Sequence, residues 1–177
     1  MKTALLPFAL LLLLQAAEPP SGSQAIRGFY AAYQALKISG LPQGAGLAKL
    51  SPHLSSSLKT LLRASRKSQA ACEKSHPGDK PPWVEGDMFS GNFEGFTRVK
   101  NVPDTGVARG ERVGFLVDFE YAQAKGGQAT VAWRDEVVLV KESGRWVIDD
   151  VLYRRDAPFG NGFGSSLRQS LAGPGCP

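Results

Sequence analysis

The segment RVGFLVDFEYA, residues 112–122, decides the fold class because its side chains alternate with a period of two. Its odd-numbered positions carry valine, phenylalanine or tyrosine, whereas its even-numbered positions include Asp118 and Glu120. Successive side chains of a strand point to opposite faces of a sheet, so the segment predicts a strand with one buried face.

Two more long strands are predicted downstream, in ATVAWRDEVVLVK (residues 129–141) and RWVIDDVLYRR (residues 145–155). The tripeptide ESG at residues 142–144 predicts a tight hairpin turn between them. A shorter strand near residues 96–102, followed by PDTG, is expected to open the sheet. Together these segments predict a curved antiparallel sheet of about four strands.

Helical periodicity precedes the strands. In QAIRGFYAAYQALK, residues 24–37, apolar side chains recur at steps of three and four. A second helix is predicted in LSPHLSSSLKTLLRASRK, residues 50–67, with Ser51 as its N-cap and Pro52 at its first position. Helices followed by an antiparallel meander indicate an α+β domain with the helices packed on the sheet.

One face of the second predicted helix carries a basic stripe formed by Lys59, Arg63, Arg66 and Lys67. Such a stripe is typical of the solvated side of an amphipathic helix. The alternative is docking to an acidic protein or an anionic membrane face, which predicts binding that weakens steeply with salt.

The first 17 residues, MKTALLPFALLLLLQAA, are typical of a cleavable secretory signal peptide. The apolar run at residues 4–14 is too short to cross a bilayer, which needs about 20 residues. Ala16 and Ala17 are the two alternative cleavage positions. We therefore expect a periplasmic or secreted protein without a stable membrane anchor after cleavage, the alternative being that the run remains as a short anchor.

Length and composition indicate one folded domain. The chain has 177 residues, of which 42% are hydrophobic and 21% charged. Residues 18–23 are expected to be a linker, residues 24–156 the domain, and residues 157–177 a glycine-rich tail with a short helix. Loss of Lys2 with the leader lowers the net charge from +5 to +4, which is no argument for a nucleic-acid partner.

Cys72 and Cys176 are the two cysteines of the chain. An even number of cysteines in an exported protein predicts a disulfide, which would tie the tail to the end of a helix. Closing a loop of about 100 residues contributes roughly 4–5 kcal/mol in the chain-entropy model. Two unrelated free thiols are the alternative.

The segment WVEGDMFSGNFEG, residues 83–95, fits neither a helix nor a strand. One interpretation is a lid that plugs the wide end of the domain with its own aromatic side chains. The other is a rim site, because aromatic residues beside acids in a loop are typical of a recognition surface. The candidate binding residues are Trp83, Glu85, Asp87, Phe89, Phe93 and Glu94 from this segment and Tyr121, Trp133 and Tyr153 from the sheet.

Three aspartates on the predicted strands, Asp135, Asp149 and Asp150, are the candidate catalytic residues. Alternation places Asp149 and Asp150 on opposite faces of the last strand, so one of the two faces inward. A buried carboxyl group has a raised pKa and can act as a general base. The alternative is a structural carboxylate that binds Tyr153 or an arginine such as Arg154.

Other chemistries find no support in the sequence. His53 and His76 are the only histidines, and neither has a ligand at helical or turn spacing, so we expect neither a metal site nor any cofactor. No Gly-x-Ser-x-Gly elbow indicates nucleophilic catalysis, and the serines at residues 55–57 are expected on the surface. The glycine-rich residues 159–166 lack the lysine of a phosphate-binding loop.

The motifs FYAAY, LSPHLSSSLKTLL, WVEGDMFSGNFEG and WVIDDVLY together resemble a bacterial family of exported proteins of unknown function with the nuclear-transport-factor-two-like fold. The resemblance covers residues 26–155 and implies a cone-shaped, cystatin-like α+β domain whose bent sheet wraps a helix. Catalytic members of that superfamily, such as ketosteroid isomerases and dehydratases, place an aspartate or a histidine–aspartate pair inside the cone. Here no histidine lies on the sheet, and residues 24–38 contain no carboxylate.

These features favour an exported, non-enzymatic binding protein of the cell envelope, such as an accessory or toxin-immunity protein. Its expected partner is a protein or a small apolar ligand. The alternative is a small isomerase- or dehydratase-like enzyme that uses an inward-facing aspartate. The sequence leaves the oligomeric state open.

Overall fold

The computed structural model describes residues 20–122, 130–153 and 165–173. The expected leader and most of the glycine-rich tail lie outside these residues. The fold is α+β, as predicted, with helices against an antiparallel sheet. Its elements in chain order are α1 (Gly22–Leu36), α2 (Gly44–Leu50), a 3-10 turn (Ser51–His53), α3 (Ser56–Ser75), β1 (Arg98–Asn101), β2 (Val107–Arg109), β3 (Arg112–Tyr121), β4 (Val131–Glu142), β5 (Arg145–Leu152) and α4 (Leu167–Leu171).

The sheet has five strands in the order β1–β3–β4–β5, with β2 also paired to β3. β1 pairs with the C-terminal part of β3 and β2 with its N-terminal part, so the two short strands form one interrupted edge. The sequence analysis missed β2 because three residues are too few for a periodic signal. Ser143 and Gly144 have φ values of 48° and 79°, which is the left-handed geometry of the predicted hairpin turn between β4 and β5.

Helix α1 packs against the sheet through the apolar face that its periodicity predicts. The buried members of that face include Ile26, Phe29, Tyr30 and Tyr33. Complete burial of such a side chain contributes about 1.5–3 kcal/mol, so this face anchors the helix. The helix begins at Gly22, two residues before the predicted domain boundary, because Ser21 and Gln24 form a capping box.

The second predicted helix begins later than expected, and a short helix that was not predicted, α2, precedes it. α2 ends at Leu50, a 3-10 turn occupies Ser51–His53, and α3 begins only at Ser56. The N-cap of α3 is Ser55, whose hydroxyl accepts a hydrogen bond from the Leu58 N–H at 2.9 Å. The prediction of Ser51 as the cap was therefore wrong, and so was the prediction that Ser55 lies on the surface, because it is fully buried.

The basic stripe lies along α3, the longest of the described helices at 20 residues. Arg63 and Lys67 are exposed, whereas Lys59 and Arg66 are partly buried. Within residues 20–122, 130–153 and 165–173, no helix combines the length and the apolar composition that crossing a bilayer requires.

Two segments that are distant in the chain cover the outer edge of β5. Leu54 forms a parallel bridge with Ile148, and the Ser55 N–H donates to the Ile148 carbonyl at 2.8 Å. At the other end of the strand, Ser166 forms an antiparallel bridge with Leu152. Because unpaired strand edges invite pairing with other chains, these segments protect this side of the sheet.

A β-bulge at Asp149 breaks the alternation that was predicted for β5. Val138 pairs with Asp150 and Leu139 pairs with Ile148, so Asp149 has no partner in the register. Both aspartates are buried, with exposed fractions of 2% and 7%. The prediction that only one of the two points away from solvent was therefore wrong, because the extra residue of a bulge re-aims the side chains around it.

Helix α4 lies along α3 and carries the described part of the C-terminal tail. The Ser65 hydroxyl of α3 donates to the Leu171 carbonyl at 2.9 Å. Cys72 lies on the same buried face of α3 as Ser65, with an exposed fraction of 3%. Cys176 lies outside the described residues, so its pairing with Cys72 stays a prediction.

Candidate functional site

Residues 86–92 form a plug between α1 and the inner face of the sheet. Every residue of this plug is buried. Buried loops are rare because their backbone polar groups must find partners inside the protein. Gly86, with φ 89°, allows the chain to turn where the plug begins, and Gly95, with φ 79°, allows a second turn after it. This burial agrees with the lid interpretation of the segment.

Two tyrosine hydroxyls satisfy backbone carbonyls of the plug. Tyr30 of α1 donates to the Phe89 carbonyl at 2.9 Å, and Tyr153, which follows β5, donates to the Met88 carbonyl at 2.5 Å. Burial raises the pKa of both phenols well above the usual value of 10.0. Both side chains therefore stay protonated and serve as permanent donors to the plug.

Asp87 anchors the beginning of the plug. Its Oδ1 accepts hydrogen bonds from the Phe89 N–H at 2.7 Å and the Tyr33 hydroxyl at 2.9 Å, and its Oδ2 accepts one from the Ser90 hydroxyl at 3.2 Å. Burial raises the pKa of Asp87 to about 6, while these hydrogen bonds oppose the rise. The carboxyl group therefore titrates in mildly acidic solution.

Asp135 of β4 holds the plug from the side of the sheet. Its Oδ2 accepts hydrogen bonds from the Gly91 N–H at 2.6 Å and from Nε1 of Trp133 at 3.0 Å. A Cβ atom on residue 91 would lie 2.5 Å from Asp135 Oδ1, so only glycine permits this approach. The carboxylate therefore links the plug to β4.

A cleft of about 700 Å³ opens where the plug segment meets the C-terminal end of α1. We name it the rim cleft. One wall consists of residues 33, 34 and 37–39, and the other consists of residues 85–87 and 93–97. The volume falls within the range of about 300–1,000 Å³ that is usual for small-molecule sites.

The rim cleft is acidic although the chain as a whole has a net charge of +5. Its lining contains Glu85, Asp87 and Glu94 but only one cationic residue, Lys37. Glu94 is exposed, whereas Asp87 is only 7% exposed. The glutamates therefore lie at the mouth, where Glu85 forms an ion pair with Lys80, and Asp87 lies at the floor.

Gly95 packs closely against the Asp87 carboxylate at the floor of the rim cleft. A Cβ atom on residue 95 would lie 3.0 Å from Asp87 Oδ2. Among the described residues Oδ2 accepts a hydrogen bond only from Ser90. Glycine at position 95 therefore lets the backbone pack against this buried carboxylate without crowding it.

The predicted binding residues separate into two groups. The rim cleft is lined by Glu85, Asp87, Phe93 and Glu94. The core contains Trp83, Phe89, Trp133 and Tyr153. Tyr121 packs, partly buried, at the edge of that core. The acidic residues of the predicted rim site thus lie together in the cleft, whereas most of its aromatic residues are packed in the core.

Asp149 joins three elements as a structural carboxylate. Its Oδ1 accepts hydrogen bonds from the Ser55 hydroxyl at 2.7 Å and from Nη1 of Arg168 at 3.2 Å. Nη2 of Arg112 lies 3.0 Å from Oδ2, an ion pair without hydrogen-bond alignment. The starts of α3 and β3 and the helix α4 are thereby tied to β5.

Asp150 supports α4. Its Oδ1 accepts hydrogen bonds from the N–H groups of Val151 at 2.8 Å and Arg168 at 3.0 Å. Burial raises the pKa of Asp150, while those hydrogen bonds oppose the rise. Tyr153, proposed as a partner for these aspartates, binds the plug instead, and Arg154 lies outside the described residues.

Metal ligands do not converge anywhere in the described part of the chain: it holds no group of three or more histidine, cysteine, aspartate or glutamate side chains suited to a metal ion. His53 is partly buried beside Phe29, and this burial lowers its pKa.

Sequence reasoning missed the α1 wall of the rim cleft. Tyr33 was assigned to the core only, yet it also lines the cleft and donates to Asp87. Lys37 was not considered, although it ends α1 in the left-handed conformation with φ 47°. No local pattern in the sequence relates this end of α1 to residues 93–97.

Comparison of the chain with protein-family models, with curated protein sequences and with solved structures found no match.

Proposed function

We propose that this chain is an exported, non-enzymatic binding protein whose ligand site is the rim cleft. One observation carries the proposal: residues 86–92 fill the interior, while the next residues, 93–97, line an open cleft. Because the interior is filled by the protein itself, the rim is where a ligand finds unoccupied polar and aromatic groups.

The filled interior also favours binding over the enzymatic alternative. A general base must lie within hydrogen-bond reach of the proton that it abstracts. Asp135 instead contacts Gly91 and Trp133, and Asp149 contacts Ser55 and two arginines. These contacts support a structural role for both carboxylates.

Export and membership of the exported bacterial family are part of the proposal. The leader of residues 1–17 supports export. The α+β arrangement of helices against an antiparallel sheet is compatible with the nuclear-transport-factor-two-like cone. Within the envelope, an accessory protein or a toxin-immunity protein would use such a rim to hold its partner.

A disulfide between Cys72 and Cys176 is also part of the proposal. Cys72 follows Ser65 by two helical turns, a rise of about 10 Å, and Ser65 binds the Leu171 carbonyl. Ala172 and Gly173 close the last turn of α4, and the three residues from Gly173 to Cys176 reach up to about 10 Å when extended. The tail is therefore long enough to bring Cys176 to the buried face of α3.

Affinity capture from an envelope fraction tests the proposed site. The bait is the tagged chain, compared with Glu94→Lys in the mouth of the cleft and with Glu111→Lys in the exposed turn between β2 and β3. Charge reversal at Glu94 is expected to reduce partner recovery at least tenfold, whereas Glu111→Lys leaves it unchanged. A partner recovered equally with both variants contradicts the rim cleft as the binding site.

A further inference from the structure

We propose that the basic stripe of α3 is a second interaction surface, which docks an extended acidic segment of a partner polypeptide. The stripe consists of Lys59, Arg63, Arg66 and Lys67. No residue of α3 lines the rim cleft, so this inference goes beyond the proposed function and stands or falls separately from it.

The charge of the stripe is not neutralised within the described part of the chain. None of its four cations forms an ion pair there. The sheet arginines Arg98, Arg109 and Arg134, by contrast, each bind a carboxylate. Glu73 is the one acidic residue of α3. A helix face with unpaired cations attracts an anionic partner and disfavours a cationic one.

The spacing of the cations suits an extended polypeptide. Lys59, Arg63 and Lys67 follow one another at steps of four residues, a rise of about 6 Å per step along the helix. Side chains on one face of an extended chain repeat at every second residue, about 6.6–7 Å apart. Acidic residues at alternate positions of a partner segment therefore match this row of cations one to one. Arg66 lies outside the row, and its guanidinium group donates to the Gln69 side chain.

The partner meets the side of α3 because the N-terminus of this helix is already occupied. The Glu142 carboxylate accepts hydrogen bonds from the Ser56 N–H at 2.9 Å and from the Ser56 hydroxyl at 2.9 Å. Glu142 thus takes the place that an external anion would have at the positive end of the helix dipole.

A groove of about 500 Å³ runs beside the stripe, along the first half of α3. Leu61 and Ala64 form its apolar part. Its remaining lining residues are Ser56, Ser57, Thr60 and Arg168. The groove gives a partner segment room for an apolar side chain next to its acidic residues.

These features favour an acidic polypeptide over an anionic bilayer. Helices that lie in a membrane interface bury an apolar face among the lipids. The apolar face of α3 is already buried in the protein, through residues that include Leu58 and Leu62. The exposed side of the helix therefore offers charge and a groove, but no large apolar side chains for insertion into lipid.

Nuclear magnetic resonance titration of the isotope-labelled protein tests the inference. The probe is the peptide acetyl-Glu-Ser-Glu-Ser-Glu-Leu-amide, and its analogue with glutamine in place of glutamate is the neutral control. We expect the acidic peptide, but not the neutral one, to shift the amide signals of residues 56–67. Equal shifts with both peptides, or shifts confined to other regions, would overturn the proposal.

Salt and the apolar residue of the probe test the two parts of the surface. The affinity of the acidic peptide is expected to fall about tenfold between 0.01 M and 0.15 M salt, as the Debye length shortens from 30 Å to about 8 Å. Replacing its leucine by serine is expected to weaken binding about fivefold, because the groove then buries less apolar surface. An affinity that does not depend on salt contradicts docking by charge. Equal affinity of the serine peptide contradicts the groove, and with it the choice of a polypeptide partner.

Variants locate the charges that matter. The double variant Arg63→Gln with Lys67→Gln changes two exposed side chains of the stripe and is expected to weaken binding of the acidic peptide about tenfold. The matched control is Lys49→Gln with Arg145→Gln, which removes the same charge from exposed positions outside α3 and is expected to leave the affinity nearly unchanged. Unchanged affinity in the stripe variant, or an equal loss in both variants, refutes the inference.

A vesicle arm tests the membrane as the alternative partner. Vesicles of equal parts phosphatidylglycerol and phosphatidylcholine are sedimented with the protein and with the stripe variant. Sedimentation that requires Arg63 and Lys67, without any binding of the acidic peptide, identifies an anionic bilayer and overturns the proposal. If partner capture depends on Glu94 while the acidic peptide does not bind, only this inference fails and the proposed function stands.

Discussion

Replacing Asp87 by asparagine is expected to remove a large pH dependence from the stability of this protein. Asp87 is buried beneath the rim cleft and accepts hydrogen bonds from Tyr33, Phe89 and Ser90. Burial raises its pKa from 3.8 to about 6. Asparagine keeps the shape and an acceptor oxygen but cannot ionise, so the comparison isolates the buried charge.

The magnitude follows from the raised pKa. A rise of about 2 units, at 1.36 kcal/mol per unit, corresponds to about 3 kcal/mol. Because the folded protein holds the Asp87 proton more tightly than the unfolded chain does, deprotonation penalises the folded state. The contribution of Asp87 to the free energy of unfolding is therefore unfavourable above pH 6, and the penalty disappears as the pH falls through 6 toward 4.

Urea unfolding followed by tryptophan fluorescence at pH 4, 5, 6 and 7 measures this effect. Relative to that of Asp87→Asn, the free energy of unfolding of the wild-type protein is expected to rise by up to about 3 kcal/mol as the pH falls from 7 to 4. Asp118, whose pKa is lowered mainly by its hydrogen bond from Arg134, acts in the opposite direction. That effect is present in both proteins and cancels in the difference, and Asp104→Asn serves as the exposed control.

Two results would refute the reasoning. A stability difference that stays constant from pH 4 to pH 7 would mean that burial does not raise the pKa of Asp87. A difference that changes in the opposite direction would mean that the three hydrogen-bond donors outweigh desolvation. Either result would also mean that the Asp87 carboxylate does not destabilise the folded protein at neutral pH.

Three further perturbations test the framework of the site. Gly91→Ala is expected to lower the free energy of unfolding by about 1–3 kcal/mol, because the new methyl group collides with the Asp135 carboxylate of β4. Gly28→Ala, in the middle of α1, is expected to raise the free energy of unfolding by up to about 1 kcal/mol. Urea titration measures both variants, and equal effects contradict the packing argument. Ser55→Ala removes the cap of α3 and its hydrogen bond to the bulge of β5, so we expect a loss of about 1–2 kcal/mol in the same assay, and no loss would show that the cap is dispensable. Thiol titration of the denatured, unreduced chain tests the proposed pairing of Cys72 with Cys176: we expect no free thiol, and two free thiols would disprove the disulfide.

The main elements of the fold were predictable because they carry repeated local signals. The spacing of Ile26, Phe29, Tyr30 and Tyr33 marks α1, and the alternation of residues 112–122 marks β3. Both signals come from side chains that meet the same core at regular intervals. The tight turn at residues 142–144 was predictable from its residue types, since glycine is one of the few residues that adopt the backbone geometry of such a turn.

The details that build the site lack such local signals. The bulge at Asp149 is stabilised by Ser55 and Arg168, which are 94 and 19 residues away in the chain. The rim cleft arises because the end of α1 meets residues 93–97, and no periodicity relates those two segments. Its acidic members were identified from composition alone, whereas Tyr33 and Lys37 needed the three-dimensional arrangement.

The contacts that cover β5 join distant parts of the chain, so they determine when during synthesis the domain can fold. The backbone hydrogen bond between Ser55 and Ile148 joins groups 93 positions apart, and α1 also packs on β5. At a synthesis rate of about 5–20 residues per second, the early helices wait roughly 5–20 seconds for the strand that completes them. Until then the nascent chain has no finished core. The long-range contacts of β5 that stabilise the folded domain thus delay its folding until the polypeptide is nearly complete.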